Sequence, residues 1–411
     1  MLPLNVPGPK SREYWKRGHK VFPGGAKKEE AAAKLAEAGF LPSPEFIVTK
    51  AEASWLVDVD GNRYVDFTSG WASNNLGNVH PEVLDAVIQA MKQYGFCYKS
   101  AIAVELAEKL AEISPNKRLT RVSFEISGTE AVEAGVSYAI VHKKRPLVIC
   151  FHSQFHGDSI AARVLSSIGG GRRRGLEQWQ GGVLYAPYPY TYGIPLDVTP
   201  EEYADYCLWY IEDLLVGQGG KVSGCHGLVE PDRVAGILFE PVMAEGGNWI
   251  PPDNFIFGLR KLADKYDWLL IADEVLSGFG RIGKMWAIEH WGIDVDLMSI
   301  AKGMTGGLMP IAALMGSEEV MAETKAYSGS TFAGHPAGCA ATLKTIEILE
   351  KQKLPERAAK LGGKALKRMK EWVDDYEIVG DARGLGFLLG ISILNKKTKE
   401  LDANVAKAVF H

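Results

Sequence analysis

Short, nearly uninterrupted apolar runs separated by longer stretches of helical period constrain this chain more than any other feature. "VSFEI" (122–126) precedes "EAVEAGVSYAIVHK", and "LVICFH" (147–152) follows it. "AGILFE" (235–240) precedes "NFIFGLRKLADKYD", "WLLIAD" (268–273) follows that, and "LMSIA" and "PIAALMG" continue the series. A strand that is apolar on both sides must be covered on both faces, so the pattern predicts an α/β fold with a mostly parallel sheet flanked by helices. Ligands of such sheets sit beyond the carboxyl ends of the strands, which directs attention to the residues that close each run.

Ahead of this series, "KKEEAAAKLAEAG" predicts a helix and "WLVDVDGNRYVDF" a hairpin turning at Asp60-Gly61. After about residue 325 the pattern changes to two long helices, "PAGCAATLKTIEILEKQ" and "LPERAAKLGGKALKRMKEWVDDY", that run into one strand, "RGLGFLLGISI". We therefore expect a large domain over 75–325 and a smaller α+β domain built from 1–74 and 326–411, a division that 411 residues easily accommodate.

Charge and cysteines narrow the function. With 46 Lys plus Arg against 50 Asp plus Glu, the net charge of −4 gives no reason to expect a nucleic-acid or anionic-membrane partner. Arg172-Arg173-Arg174 in "GGGRRRG" reads as a solvated loop. No apolar stretch approaches the roughly 18 residues of a membrane span, and the first residues lack the apolar core of a signal peptide, so a cytoplasmic protein is expected. Cys97, Cys150, Cys207, Cys225 and Cys339 are widely spaced without a CxxC pair, which argues against a disulfide framework and a zinc site. Cys225-His226 is weak evidence for a metal or nucleophile site, and no metal is expected.

Two glycine-rich turns compete as ligand sites. Gly278, Gly280 and Gly283 in "GFGRIG" have dinucleotide-fingerprint spacing and follow a strand, but "DEVLS" intervenes and the segment after them is too short for the helix that fingerprint needs. Ser127-Gly128-Thr129 fits better: a strand ends at Ile126 and a helix starts near Glu130. Free N–H groups at a helix start, with hydroxyls beside them, make an anion site suited to phosphate, although Ser and Thr are also ordinary helix caps.

Asp273 closes "WLLIAD" and Lys302 follows "LMSIA", so a parallel sheet brings both toward one crevice. A buried carboxylate needs a cationic partner or strong donors. Apolar and small neighbours favour a neutral lysine amine, the form that condenses with an aldehyde. An anion cradle, a carboxylate and an amine nucleophile together describe a site for pyridoxal 5'-phosphate (PLP): phosphate on the helix end, a Schiff base to Lys302, and Asp273 on the pyridine nitrogen.

"SGTEAVEAG", "FHG" at 155–157, "FEPVMAEGG", "IADEVLSGFGRIGKMWA", "SIAKGMTGGLMPIAALMG", "GSTFAGHPAGCAA" and "DARGLGFLLGISI" together resemble the class III, or omega, PLP-dependent aminotransferases of fold type I. The resemblance runs from "VDVDGNRYVDFTSGW" to "GISI" with every motif in family order. It implies Lys302 as the Schiff-base lysine, Asp273 as the pyridine-nitrogen carboxylate, and Ser127, Gly128 and Thr129 as the phosphate turn. It also implies Phe155 and Val275 on the two ring faces, Thr331 reaching the cofactor phosphate of the neighbouring subunit in a homodimer, and Trp71 and Glu245 at the substrate. Trp71 serves equally well as a core residue, and His156 and His335 read as hydrogen-bonded scaffold.

The implied reaction moves an amino group from an amino acid or amine donor to a 2-oxo acid by a ping-pong cycle, with Lys302 transferring the proton. A PLP-dependent racemase or aminomutase on the same fold is the alternative, and an NAD-dependent dehydrogenase using "GFGRIG" a distant third. Two departures from the family stand out. Leu276 replaces a glutamine that donates to the cofactor's phenolic oxygen in many members. The family also continues past the position of "VAKAVFH" with an arginine ahead of a Pro-Pro-Leu motif that binds substrate carboxylate, so the small domain is expected to be incomplete here, and Glu245 lacks the partner that arginine provides in some members.

Overall fold

The computed structural model describes residues 7–23, 46–96, 99–194, 197–217, 227–322, 324, 326 and 329–410. The helix expected in "KKEEAAAKLAEAG", Cys97 and the Cys225-His226 pair lie outside the described residues.

Near the amino end, β1 (Val48–Glu52), β2 (Trp55–Asp58) and β3 (Arg63–Val65) form an antiparallel sheet, and β2 and β3 are the expected hairpin around Asp60-Gly61. Asp58 fixes that turn by accepting from the Asp60 and Asn62 N–H groups at 3.0 and 2.8 Å.

The apolar runs become the central sheet: β4 (Arg121–Glu125), β5 (Leu147–Phe151), β6 (Val183–Ala186), β7 (Val234–Phe239), β8 (Leu269–Asp273), β9 (Leu297–Ile300) and β10 (Ala312–Gly316). Their spatial order is β4-β10-β9-β8-β7-β5-β6. The block from β6 to β9 is parallel throughout, while β10 runs antiparallel to both β9 and β4. "PIAALMG" thus enters the sheet in reverse, because the chain from β9 turns back at once through residues 302–311 without a crossover helix. Every residue of β7, β8, β9 and β10 is buried, as two-sided coverage requires.

Helices Gly128–Lys143 and Asp253–Tyr266 cover the sheet, and the Phe151, Tyr188 and Phe255 rings meet edge to face under the second of them. Trp268 and Trp286 are fully buried and donate their indole N–H groups to the Pro231 and Ile113 carbonyls at 2.8 and 2.7 Å, so neither core ring leaves a polar atom unpaired.

Beyond the sheet lie helices Pro336–Lys351 and Leu354–Asp375. The single strand expected in "RGLGFLLGISI" is instead an antiparallel hairpin, β11 (Val379–Leu385) with β12 (Leu388–Ile393). The reversal falls at Gly386, whose φ of 53° is a left-handed value that suits glycine, and an apolar run that reads continuously in sequence folds back on itself there. None of the described helices is long and apolar enough to cross a membrane.

Candidate active site

A cavity of about 470 Å³ opens at the carboxyl ends of the parallel strands, within the range that holds a cofactor with part of a substrate. Segments following β4, β5, β7, β8 and β9 supply its wall: residues 126–129, 155–158, 240–245, 273–277 and 301–302. The segment leading into reversed β10 closes the same end with Pro310 and Ile311.

Asp273 ends β8, and Lys302 stands just past β9 on the neighbouring strand, so both enter this cavity. Lys302 is half-buried with a φ of 34°, a left-handed backbone value that a non-glycine residue holds only when its surroundings fix it. Asp273 is buried and held from two sides, accepting from Val275 N–H at 3.0 Å and meeting His156 Nδ1 at 2.7 Å. His156 Nε2 is buried and has no hydrogen-bond partner in the structure.

Glu240, at the end of β7, adds a second buried carboxyl that accepts from Phe155 N–H at 2.8 Å and Ala244 N–H at 2.9 Å. Burial pushes it up to about 7; the Asp273 charge adds to that rise, while the His156 ring and the two N–H groups oppose it. His156 was expected as scaffold, five residues beyond β5; for Glu240 the signal in the sequence is an acid directly after a strand.

At the other end of the cavity the Gly128–Lys143 helix begins in a capping box: Ser127 Oγ accepts from Glu130 N–H, and the Glu130 carboxylate accepts from Ser127 N–H at 3.1 Å. The box consumes the Ser127 and Glu130 donors and leaves those of Gly128 and Thr129, the first residues of the helix, without an intrahelical acceptor. Both line the cavity, and Thr129 Oγ1 is 2.9 Å from Ser159 Oγ. The approach is close: a Cβ on Gly128 would lie 2.7 Å from Val275 Cγ1.

Phe155, Val275 and Leu276 line the space between these two ends. Arg172 lies over the Phe155 ring, 4.8 Å from its centroid, and meets Asp158 at 3.2 Å. One of the three arginines expected in a solvated loop therefore packs on a cavity residue, because a guanidinium covers an aromatic face well. Glu245 is exposed and lines the cavity. Trp71 (84% exposed) and Thr331 (exposed) are both outside the lining. His335 accepts from Ala337 N–H at 3.2 Å and caps the Pro336–Lys351 helix, a scaffold position.

The residues fit PLP. Two free N–H groups and a hydroxyl suit its phosphate, Val275 and Phe155 offer apolar surface for its ring, a pinned carboxylate suits its pyridine nitrogen, and the Lys302 amine suits its aldehyde. His156 Nε2 is left as a buried polar atom that a bound group or a water can satisfy. "GFGRIG" forms turns ahead of a four-residue 3₁₀ segment, Ala287–His290, without the long helix a dinucleotide site requires. Among the described residues no group of His, Cys, Asp and Glu could hold a metal ion.

Comparison with known proteins agrees with this chemistry. The profile of the family described as aminotransferase class-III matches residues 40–410. A probable 4-aminobutyrate aminotransferase of Bacillus subtilis (strain 168) is 32% identical over 88% of this chain and 82% of its own. An alanine/serine racemase of Pyrococcus horikoshii is 31% identical over 96% of this chain and 80% of its own. Among solved structures, taurine:2-oxoglutarate aminotransferase from Bifidobacterium kashiwanohense, in complex with PLP and glutamate, superposes with a TM-score of 0.79 at 27% identity, covering 91% of this chain and 84% of that one.

Proposed function

Because this chain belongs to the class-III aminotransferases, we propose that it is a PLP-dependent aminotransferase of fold type I whose chemistry is carried by Lys302 and Asp273. The observation that carries the reading is the convergence of an amine, a doubly held carboxylate and a free helix start on one cavity. When bound, PLP supplies an aldehyde that takes up an amino group and a ring that draws electrons from the adjoining carbon.

Each residue then has a task. Gly128 and Thr129 N–H groups hold the phosphate, with the Ser127 cap fixing the helix start. Phe155 and Val275 confine the ring between two faces. Asp273, its carboxylate oriented by Val275 N–H and His156 Nδ1, would face the ring nitrogen. Lys302 Nζ would hold PLP through its aldehyde, and as a free amine would take up and return the proton of the carbon bearing nitrogen. Leu276 offers no donor to the phenolic oxygen, so that contact is absent from this site. Glu245, exposed at the cavity, bears on the choice of substrate.

The reaction runs in two halves, an amino acid or amine giving up its nitrogen and a 2-oxo acid accepting it. A homodimer completes the site in this reading: Thr331 reaches the cofactor phosphate of the other subunit, and Trp71 borders the substrate. Exposed Leu84, Ile88 and Met91 on the Pro81–Tyr94 helix, with Phe96 and Phe332, supply an apolar surface for the contact. The domain division at residues 75 and 325 is supported by the central sheet, whose strands all fall between 121 and 316. Cys150 and Cys207 are buried thiols, which supports a cytoplasmic setting.

The racemase relative keeps a second reading open, a PLP-dependent racemase or aminomutase on the same site. The holoprotein given an amino donor without any 2-oxo acid separates the two. An aminotransferase stops after one equivalent of carbonyl product with its cofactor in the amine form; a racemase or aminomutase keeps turning over and releases no carbonyl. A panel of alpha-amino acids, omega-amino acids and plain amines in the same assay identifies the donor class.

A further inference from the structure

Arg281 belongs to "GFGRIG", and its surroundings have no part in the reaction above. Its guanidinium donates to Asn75 Oδ1 at 2.5 Å, while its Nε is sealed from solvent without an acceptor. Asp66 is the acid that bears on it electrostatically, but no described carboxylate comes within ion-pair distance. The Asp66 carboxylate is already engaged by Thr68 Oγ1 at 2.9 Å, Ser69 N–H at 2.8 Å and Asn78 Nδ2 at 3.1 Å. Burial pushes the Arg281 guanidinium down to about 10, against the opposing pull of Asp66, which still leaves it charged at neutral pH. A buried cation with one neutral acceptor is poorly compensated.

The second observation is the space beside it. Arg281 and Arg357 line one cavity of about 110 Å³, walled by Phe279, Leu354 and Phe387. Arg357 comes from the Leu354–Asp375 helix, and its side chain makes no hydrogen bond or ion pair among the described residues. No acid lines the cavity. A small space lined by two arginines, Arg357 being exposed at its mouth, and by no acid favours an anion, and guanidinium is the side chain best shaped to hold one.

We propose that this cavity binds a compact anion, a halide or a short carboxylate, between Arg281 and Arg357. At about 110 Å³ the space suits such an ion with a few waters. The site has structural consequences. Asn75, which holds Arg281, also donates to the Phe279 carbonyl at 2.7 Å, and Phe387 N–H donates to the Arg281 carbonyl at 2.9 Å. The anion therefore ties the Leu354–Asp375 helix and the β11-β12 turn to the segment that follows Asp273.

Crystals of the holoprotein grown in bromide, together with thermal denaturation at constant ionic strength in chloride, bromide, acetate and gluconate, test this. The expected results are an anomalous bromide peak between the two guanidinium groups and a saturable rise in melting temperature over gluconate. A response to halides alone identifies a halide, and one to acetate identifies a carboxylate. Arg281→Met and Arg357→Ala should each weaken the apparent anion affinity at least about tenfold. Should Arg281→Met fail to fold, Arg357→Ala, altered at an exposed position, and the bromide map of the unaltered protein decide. Water alone in the cavity, a carboxylate side chain of this chain or a second copy filling it, or unchanged anion responses in the variants overturns the proposal.

Discussion

His156 Nδ1 lies 2.7 Å from Asp273 Oδ2, with one side chain sealed from water and the other nearly so. That contact orients the carboxylate proposed to face the ring nitrogen, which makes His156 a positioning residue in the proposed reaction. Replacing it with Phe leaves a buried carboxylate oxygen unpaired, a loss of about 1–3 kcal/mol. The expected outcome for His156→Phe is a kcat about tenfold to a hundredfold lower and a shifted pH titration of the bound cofactor's visible absorbance. His156→Asn, whose amide nitrogen can occupy the Nδ1 position, should restore most of the spectroscopic titration. Equal spectra in all three proteins would remove His156 from the account.

Gly128 should tolerate no side chain. An added methyl meets Val275 Cγ1 at 2.7 Å and must displace either the helix start or Val275, the residue proposed for one ring face. Overpacking of this kind costs about 1–3 kcal/mol, so Gly128→Ala is expected to raise the Kd for PLP by roughly fivefold to 150-fold. Fluorescence titration of the apoprotein measures it, with circular dichroism to verify an unchanged fold.

Glu240 gives the apoprotein a pH signature. Burial raises its folded-state value to about 7 from an ordinary 4.5, so the folded state binds more protons than the unfolded state between those values. Its contribution to stability is fully present below pH 4.5 and is lost as pH rises through about 7. Glu274, buried and also pushed up to about 7 by burial, acts in the same direction. Glu240→Gln should flatten the fall in stability across this window by about half, read as slope from urea denaturation at successive pH values. An unchanged slope contradicts the assignment.

Thr331 is exposed and absent from the cavity of its own chain. If it serves the partner's phosphate, Thr331→Ala lowers PLP affinity by roughly tenfold or more, the worth of a hydrogen bond to a charged group, while sedimentation still reports a dimer. Unchanged affinity in an intact dimer excludes that contact.

The positions of Asp273 and Lys302 were legible because a strand buried on both faces announces its own end, and chemistry in such sheets collects there. The helix start at Ser127-Gly128-Thr129 was legible for a local reason, since a turn of small and hydroxyl residues between a strand and a helical pattern lies within a few residues. Contacts between distant segments left no trace of that kind. His156 and Asp273 are 117 positions apart, and Phe155 and Glu240 are 85 apart, so only the strand order brings them together. The direction of β10 was hidden for a similar reason, since apolar content records burial and not polarity of the strand. In "RGLGFLLGISI", side chains on both sides of the turn stay apolar, which conceals the reversal at Gly386.

The central claim is a covalent link between Lys302 Nζ and the PLP aldehyde, and borohydride reduction of the holoprotein followed by peptide mass spectrometry tests it most directly. The account predicts the pyridoxyl phosphate mass on the peptide containing Lys302 and on no other. The label on a different lysine, or no label in protein saturated with PLP, would contradict it.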